Sequence, residues 1–351
     1  MSDLKEALED FTLEEDEVQL YEHFRMEVDP GQEALRVDKF LFDHMPHTSR
    51  NRIQRAGDAG FVHVNGAPAK NSYRVRPGDV VTLMRDRPHY ESTIEPEDIP
   101  LDIVYEDSQL MVVNKPAGMV VHPGHGNFDG TLVNALAWHF KDNPDYDVTD
   151  PRLGLVHRID KDTSGLLVIA KTPNAKTSLG AQFFKKSTKR QYIAVVWGEM
   201  KQEDGTVTGN IGRDPRDRVL MKVFPDGDQG KHAVTHWHTV ENLAHVAVVR
   251  GQLETGRTHQ IRVHMKHIGH PLFNDARYGG DQILRGNRSS SYAQFIHNCF
   301  ELCPRQALHA KTLGFVHPET GQQMDFDSDL PADMAALITK WEDYARNLAT
   351  K

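Results

Sequence analysis

The sequence predicts an α+β protein in which a small mixed unit precedes a larger one built on a central, mainly antiparallel sheet. Three observations support this. Short apolar runs separated by Gly, Pro and Asp recur over residues 101–330, the pattern of strands joined by turns. Helical spacing is confined to a few stretches, notably 173–186 and 257–268. The window 35–87 carries its own helix, strand and charge signals. A chain of 351 residues with 38% hydrophobic and 26% charged positions has room for two or three cores and excludes a fibre or a wholly disordered chain.

Residues 1–34 read as an acidic, partly disordered tail. Positions 1–33 hold twelve Asp or Glu against Lys5 and Arg25, so the chain's net charge of −9 is concentrated there and the rest is near neutral. In 35–87 the order reverses, with ten bases against five acids. Val37, Phe40, Leu41 and Met45 recur at helical spacing, and Ser49 is placed to cap a second helix from Arg50. Phe61 to Val64 reads as a strand closed by Asn65-Gly66, and Pro77-Gly78-Asp79 turns into Val80 to Leu83. This is a phosphate-contacting module or, on charge alone, a solvated helix face carrying Arg50, Arg52 and Arg55. Pro88, Pro96 and Pro100 mark 88–100 as a linker. After the strand-rich 101–330, Met334, Leu337, Ile338, Trp341 and Leu348 give a C-terminal amphipathic helix over 331–351. Without a leader-like start or a membrane-length apolar run, and with only Cys299 and Cys303, a cytoplasmic protein with reduced thiols is expected.

Chemistry concentrates in His157-Arg158-Ile159-Asp160-Lys161-Asp162-Thr163-Ser164-Gly165, which runs straight into the apolar Leu166 to Ala170. A dense polar loop on a buried strand is a common mounting for a catalytic carboxylate. Taken alone, Asp160 and Asp162 fit a phosphatase pattern, though His157-Arg158 interrupts the expected apolar approach. Asp162 to Gly165 also fits an aspartic-protease loop that lacks its second copy. Arg262 reads as a surface helix charge, and Tyr192 as a strand tyrosine sharing a face with Ala194 and Val196. Neither His122 and His125 nor His259 and His264 make a coherent metal set. The Gly-rich basic stretch 209–231 reads as a hairpin, either an RNA clamp or a solvated loop.

The window Leu35 to Asp79 resembles the S4 RNA-binding domain. The loop at 157–167 resembles the catalytic motif of the RluA-type pseudouridine synthases, with Ile159 where that family often has Leu. Lys115-Pro116-Ala117-Gly118, Lys189 to Val196, Leu253 to His264 and Leu308 to Pro318 resemble that family's other motifs, in order, and the S4-like unit points to the RluC/RluD-like branch. The segment Asn274 to Gly280 is expected to shape the site, although Asn274-Asp275 departs from the Gly-Asp form of the family. The resemblance implies an isomerase that converts uridine to pseudouridine, with no cofactor and no metal. It implies Asp160 as catalytic carboxylate, Arg262 as its ion-pair partner, Tyr192 as the stacking and proton-transfer residue, and Arg158 as the wedge that replaces a flipped base. Arg257, His259, Arg50, Arg52 and Arg55 become RNA contacts. The partner is RNA, 23S ribosomal RNA or a pre-ribosomal particle, with no membrane and a monomeric enzyme. The competing reading is a non-enzymatic RNA-binding or ribosome-assembly factor, against which the intact Asp160, Tyr192 and Arg262 argue.

Overall fold

The structure is a computed structural model describing residues 21–45, 50–85, 94–123, 127, 129–143, 154–217, 220–287 and 289–350, apart from the side chains of Tyr21, Arg52 and Arg85. It divides into two units, Met1–Thr93 and Ile94–Lys351. In the first, strand β1 (Tyr21–Glu27) precedes helices α1 (Val37–His44) and α2 (Arg50–Asp58). Strands β2 (Val62–Val64), β3 (Ala67–Pro68) and β4 (Val80–Arg85) complete a sheet of order β1-β4-β2-β3. Val37, Phe40, Leu41, Ile53, Val62 and Val81 share its core. Asn65 and Gly66 have φ of 53° and 83°, the left-handed pair that an Asn-Gly hairpin turn requires.

The tail reading of 1–34 is corrected at its C-terminal end. β1 pairs antiparallel with β4 from Tyr21↔Arg85 to Glu27↔Val80. Phe24 and Met26 pack on the small core and Val28 is buried in it, so a half-buried strand was concealed by the acidic charge around it. Residues 1–20 and Ser49 lie outside the described residues. The linker reading of 88–100 is also corrected: Ile94 packs on the core of the larger unit, and Glu95 O accepts from Asn134 Nδ2 at 2.8 Å. Residues 86–93 lie outside the described residues.

The larger unit is built on a ten-stranded sheet, β10-β9-β11-β12-β8-β13-β7-β6-β5, with β14 added to β13. In chain order the elements are β5 (Ile103–Glu106), β6 (Leu110–Lys115), α3 (Leu132–His139), β7 (Ser164–Ala170), α4 (Pro173–Lys185) and β8 (Lys189–Trp197). The meander β9 (Asp204–Arg213), β10 (Met221–Phe224), β11 (Lys231–Leu243) and β12 (Val246–Leu253) follows. Then come α5 (Gln260–His267), α6 (Ser290–Leu302), β13 (Leu308–Val316), β14 (Gln323–Asp327) and α7 (Ala332–Ala349). Only β13 with β7 runs parallel among the described strands.

Side-chain alternation divides the packing. Tyr192, Ala194 and Val196 join Leu167, Val249 and Ile261 on one face, and Val195, Trp197 and Val248 meet Tyr292, Ile296 and Trp341 on the other. Met334, Leu337 and Trp341 of α7 are wholly buried, each worth roughly 1.5–3 kcal/mol of apolar burial. Helix α7 lies in the stretch 331–351 where the sequence predicts a C-terminal amphipathic helix, and it completes the core of the larger unit.

Candidate active site

Asp160 stands in a loop whose shape is fixed from both ends. Thr163 N donates to Asp160 O at 3.2 Å. Gly165, at φ 118°, sits where a Cβ would lie 2.3 Å from Ala310 O, so only glycine lets β7 meet β13 there. Lys115, buried at the end of β6, donates from Nζ to the carbonyls of Pro116, Met119 and Lys161 at 2.6, 2.8 and 2.9 Å. Burial pushes its pKa down to about 7, against the opposing charges of Asp162 and Asp160. Three carbonyl acceptors call for the three hydrogens of the ammonium form. Arg305 bonds both oxygens of Asp333, at 2.6 and 3.0 Å, and donates to Asp162 O at 2.9 Å. Asp162 is thus held through its backbone carbonyl.

Helix α5 delivers Arg262 to this loop. Its Nη1 donates to Asp160 Oδ2 at 3.0 Å, while Nε and Nη2 take both oxygens of Asp275 at 2.7 and 2.8 Å. Burial opposes the charge on Arg262, but the hydrogen bonds and charge of Asp275, then Asp160, raise its pKa above the ordinary arginine value. The surface-charge reading of Arg262 is therefore excluded: the residue is 5% exposed. One carboxylate fixes the guanidinium, and the guanidinium fixes one oxygen of the other.

Asp160 Oδ1 faces His259, whose Nε2 lies 4.0 Å away. Met221 N donates to the Tyr278 hydroxyl at 3.1 Å, and that hydroxyl is 2.8 Å from His259 Nδ1. Burial, outweighing the attraction of Asp160, pulls His259 down to about 4, and it stays neutral.

Tyr192 is 7% exposed, and burial raises its pKa. Arg158, Asp160, Tyr192, Arg257, His259 and Arg262 line one pocket of about 90 Å³. Four of them also border a groove of about 1180 Å³ that takes in Arg213 and Arg277. Arg158 is exposed at its rim, and Arg257 Nε donates to His232 O at 3.0 Å. The β9–β10 hairpin adjoins this groove through Arg213, Asp217 and Met221. His264, buried, bonds Thr235 Oγ1 from Nδ1 at 2.9 Å.

In the smaller unit Arg50 bonds Asp38 Oδ2 through Nε and Nη2 at 3.3 and 3.2 Å. Burial of Asp38 is offset by bonds from Arg36, Gln54 and Arg50, which hold its carboxyl well below the usual range. Arg50 therefore has a structural tie while remaining 46% exposed. Arg55 is exposed on α2, and the Arg52 side chain lies outside the described residues.

Sequence reasoning gave no individual role to Arg190 or Lys115, and only a general site-shaping one to the segment holding Asp275 and Tyr278. Asp275 is reached because Asn274 takes a left-handed φ of 56° and anchors its amide on Cys303 O at 2.7 Å. Asn tolerates that conformation, and no spacing rule links position 262 to position 275.

The RNA pseudouridylate synthase family matches residues 109–267, and the S4 domain family matches residues 35–81. An "Uncharacterized RNA pseudouridine synthase" of Chlorobaculum parvum is 45% identical over 317 residues, 90% of this chain and 96% of that one. "Ribosomal large subunit pseudouridine synthase D" of Haemophilus influenzae is 42% identical over 316 residues, 89% of this chain and 93% of that one. The solved structure of "Human RNA Pseudouridylate Synthase Domain Containing 1" superposes with a TM-score of 0.50 at 26% identity, covering 69% of this chain and 89% of that chain.

Proposed function

The chain belongs to the RNA pseudouridylate synthase family, and we propose that it isomerises specific uridines of large-subunit ribosomal RNA, with Asp160 as catalytic carboxylate. The observation that carries this reading is a carboxylate with one oxygen locked by a buried Arg262–Asp275 pair and the other open to a pocket shared with Tyr192. The ribosomal substrate is supported by relatives called ribosomal large subunit pseudouridine synthase D. Among the described residues no helix is long and apolar enough to cross a membrane.

In the reaction the N1–C1′ bond breaks with its electron pair left on the base. The base turns, C5 bonds C1′ and loses its hydrogen, and a proton returns to N1. Asp160 either attacks C1′ or takes the 2′ hydrogen, and both routes need it ionised in a pocket that the bound nucleoside dries. Arg262 opposes that desolvation. Tyr192 stacks on the base and moves a proton, Arg158 fills the gap left in the RNA, and Arg257 and His259 border the bound nucleoside. A purely RNA-binding factor would have no use for the Asp160–Arg262–Asp275 arrangement beneath its pocket.

The test is chemical mapping of pseudouridine in ribosomal RNA from cells carrying the wild-type chain, no chain, or Asp160→Asn. Sites present only with the wild-type chain are expected. Identical maps in all three would refute the assignment.

A further inference from the structure

Two buried polar groups in the pocket beside Asp160 have no hydrogen-bond partner among the described residues. Arg190 is 7% exposed, yet its Nε has no hydrogen bond and no carboxylate forms an ion pair with it among the described residues. Thr163 Oγ1, in a residue 1% exposed, is likewise unbonded. Both residues line the pocket with Asp160, Tyr192 and Arg262. Arg190 is the unusual one, because an arginine keeps its charge and a buried charge without a partner is strongly unfavourable. What surrounds it is aromatic or neutral. Its guanidinium lies 5.3 Å from the centre of the Phe183 ring, on which His157 stacks at 4.4 Å. His157 is no anion either: burial and the charge of Arg190 pull it down to about 3, and its Nε2 accepts from Val168 N at 3.1 Å. Gly256 keeps the approach open, since a Cβ there would come within 3.0 Å of Arg190 Nη1.

A structural arginine would be expected to find a carboxylate as the protein folds, as Arg262 does on the wall of the same pocket. One kept dry and unpaired is set up for a charge that arrives with the substrate. Resting on the proposed reaction, that charge can be named. When the N1–C1′ bond breaks, the base departs with the electron pair, which spreads over its two carbonyl oxygens whether Asp160 attacks the sugar or abstracts its 2′ hydrogen. We propose that Arg190 is the receptor for this anion, pairing with a uracil carbonyl oxygen as the bond to the sugar breaks. It is thus a catalytic residue distinct from the Asp160–Arg262 pair, and it recognises an anionic pyrimidine in preference to a neutral one.

The test compares the full-length wild type with Arg190→Met and Arg190→Lys. Arg190→Met keeps the length and apolar stem of the side chain while removing an unpaired buried charge, so it is expected to melt no lower than wild type. Its kcat for pseudouridine formation is expected to fall about a hundredfold, with KM for RNA within about threefold. Arg190→Lys, which restores a cation without the fork, is expected to recover about tenfold of that loss. A probe independent of turnover is barbiturate, a planar pyrimidine anion, set against neutral uracil at equal concentration. Barbiturate should raise the melting temperature of the wild type more than uracil does, and Arg190→Met should abolish the difference. A lower melting temperature for Arg190→Met, an unchanged kcat, or equal responses of the wild type to the two pyrimidines would overturn the proposal. A wild type that prefers barbiturate but makes no pseudouridine would refute the proposed function while still supporting an anion receptor at Arg190.

Discussion

Replacing Asp275 by Asn is expected to cost more stability than replacing Asp160 by Asn, although only the second removes the carboxylate proposed to react. Asp275 is 1% exposed and holds Arg262 by two bonds at 2.7 and 2.8 Å. The Asp160 side chain is 19% exposed and holds the same guanidinium by one bond at 3.0 Å. Stripping a buried cation of its partner costs about 3–5 kcal/mol, and because Asp160 remains, Asp275→Asn belongs near the lower end. At roughly 2–4 °C per kcal/mol for a unit of this size, its transition should fall by about 6–12 °C. Asp160→Asn leaves the two-bond pair intact and gives up one charge-assisted bond at a partly open position, about 1 kcal/mol or less. Its transition should move by about 4 °C at most. Activity should order the other way. Asp160→Asn is expected to abolish pseudouridine formation, whereas Asp275→Asn, assayed well below its transition, should lose about ten- to a hundredfold as Arg262 loses its fixed orientation. Thermal unfolding by circular dichroism and pseudouridine assays on the same preparations decide it. Equal shifts, or a larger one for Asp160→Asn, would refute the argument that Asp275 is the structural anchor.

Tyr192→Phe keeps the ring and removes only the hydroxyl, so it should bind RNA as the wild type does and lose most turnover; full turnover would refute a proton role. Arg158→Ala should reduce modification of a structured RNA more than of an unpaired strand carrying the same uridine, because only the structured RNA has a gap to fill, and equal losses on both would count against the wedge. Burial holds both His264 and His309 down to about 4 in the folded chain, whereas an unfolded histidine protonates near 6.5. Between those values the unfolded state binds more protons, so the stability these residues confer is complete above about pH 6.5 and declines toward pH 4, by about 1.4 kcal/mol per pH unit for each. Urea unfolding at pH 7.5 and 5.5 measures this, and equal stabilities at the two would contradict it.

The parts of the site that could be read from sequence are those compressed into contiguous stretches. Residues 157–165 put the carboxylate, its turn and its glycine into one loop, and Gly165 is required by a clash with Ala310 O that any side chain would create. Strand alternation placed Tyr192 with Ala194 and Val196, and they do share one core. What stayed hidden depends on contacts that no periodicity encodes. Asp275 reaches Arg262 only because Asn274 is left-handed and tied to Cys303 O. His259 meets the Tyr278 hydroxyl, which in turn accepts from a backbone amide of the distant β10. β1 was missed because Glu22, Arg25 and Glu27 dominate its composition, while Phe24, Met26 and Val28 supply its packing.

Arg190 and Arg262 show why exposure alone does not separate structural from reactive charges. They are 7% and 5% exposed and line the same pocket, yet among the described residues Arg262 has two carboxylates and Arg190 none. On the proposed reaction the difference follows from where negative charge goes. Before bond cleavage the anions are Asp160 and Asp275, and Arg262 serves both. If Asp160 attacks the sugar it becomes a neutral ester, and if it takes the 2′ hydrogen it becomes a neutral acid; in each case one negative charge leaves it and appears on the base. Arg262 cannot follow that charge, because Asp275 holds it by two bonds. A second guanidinium, already dry on the wall of the same pocket, would let the charge move without any group having to reorganise, and fixed charges of this kind lower a barrier more than they strengthen ground-state binding. Both routes thus make the same demand on Arg190, and its loss should fall on kcat whichever one Asp160 takes.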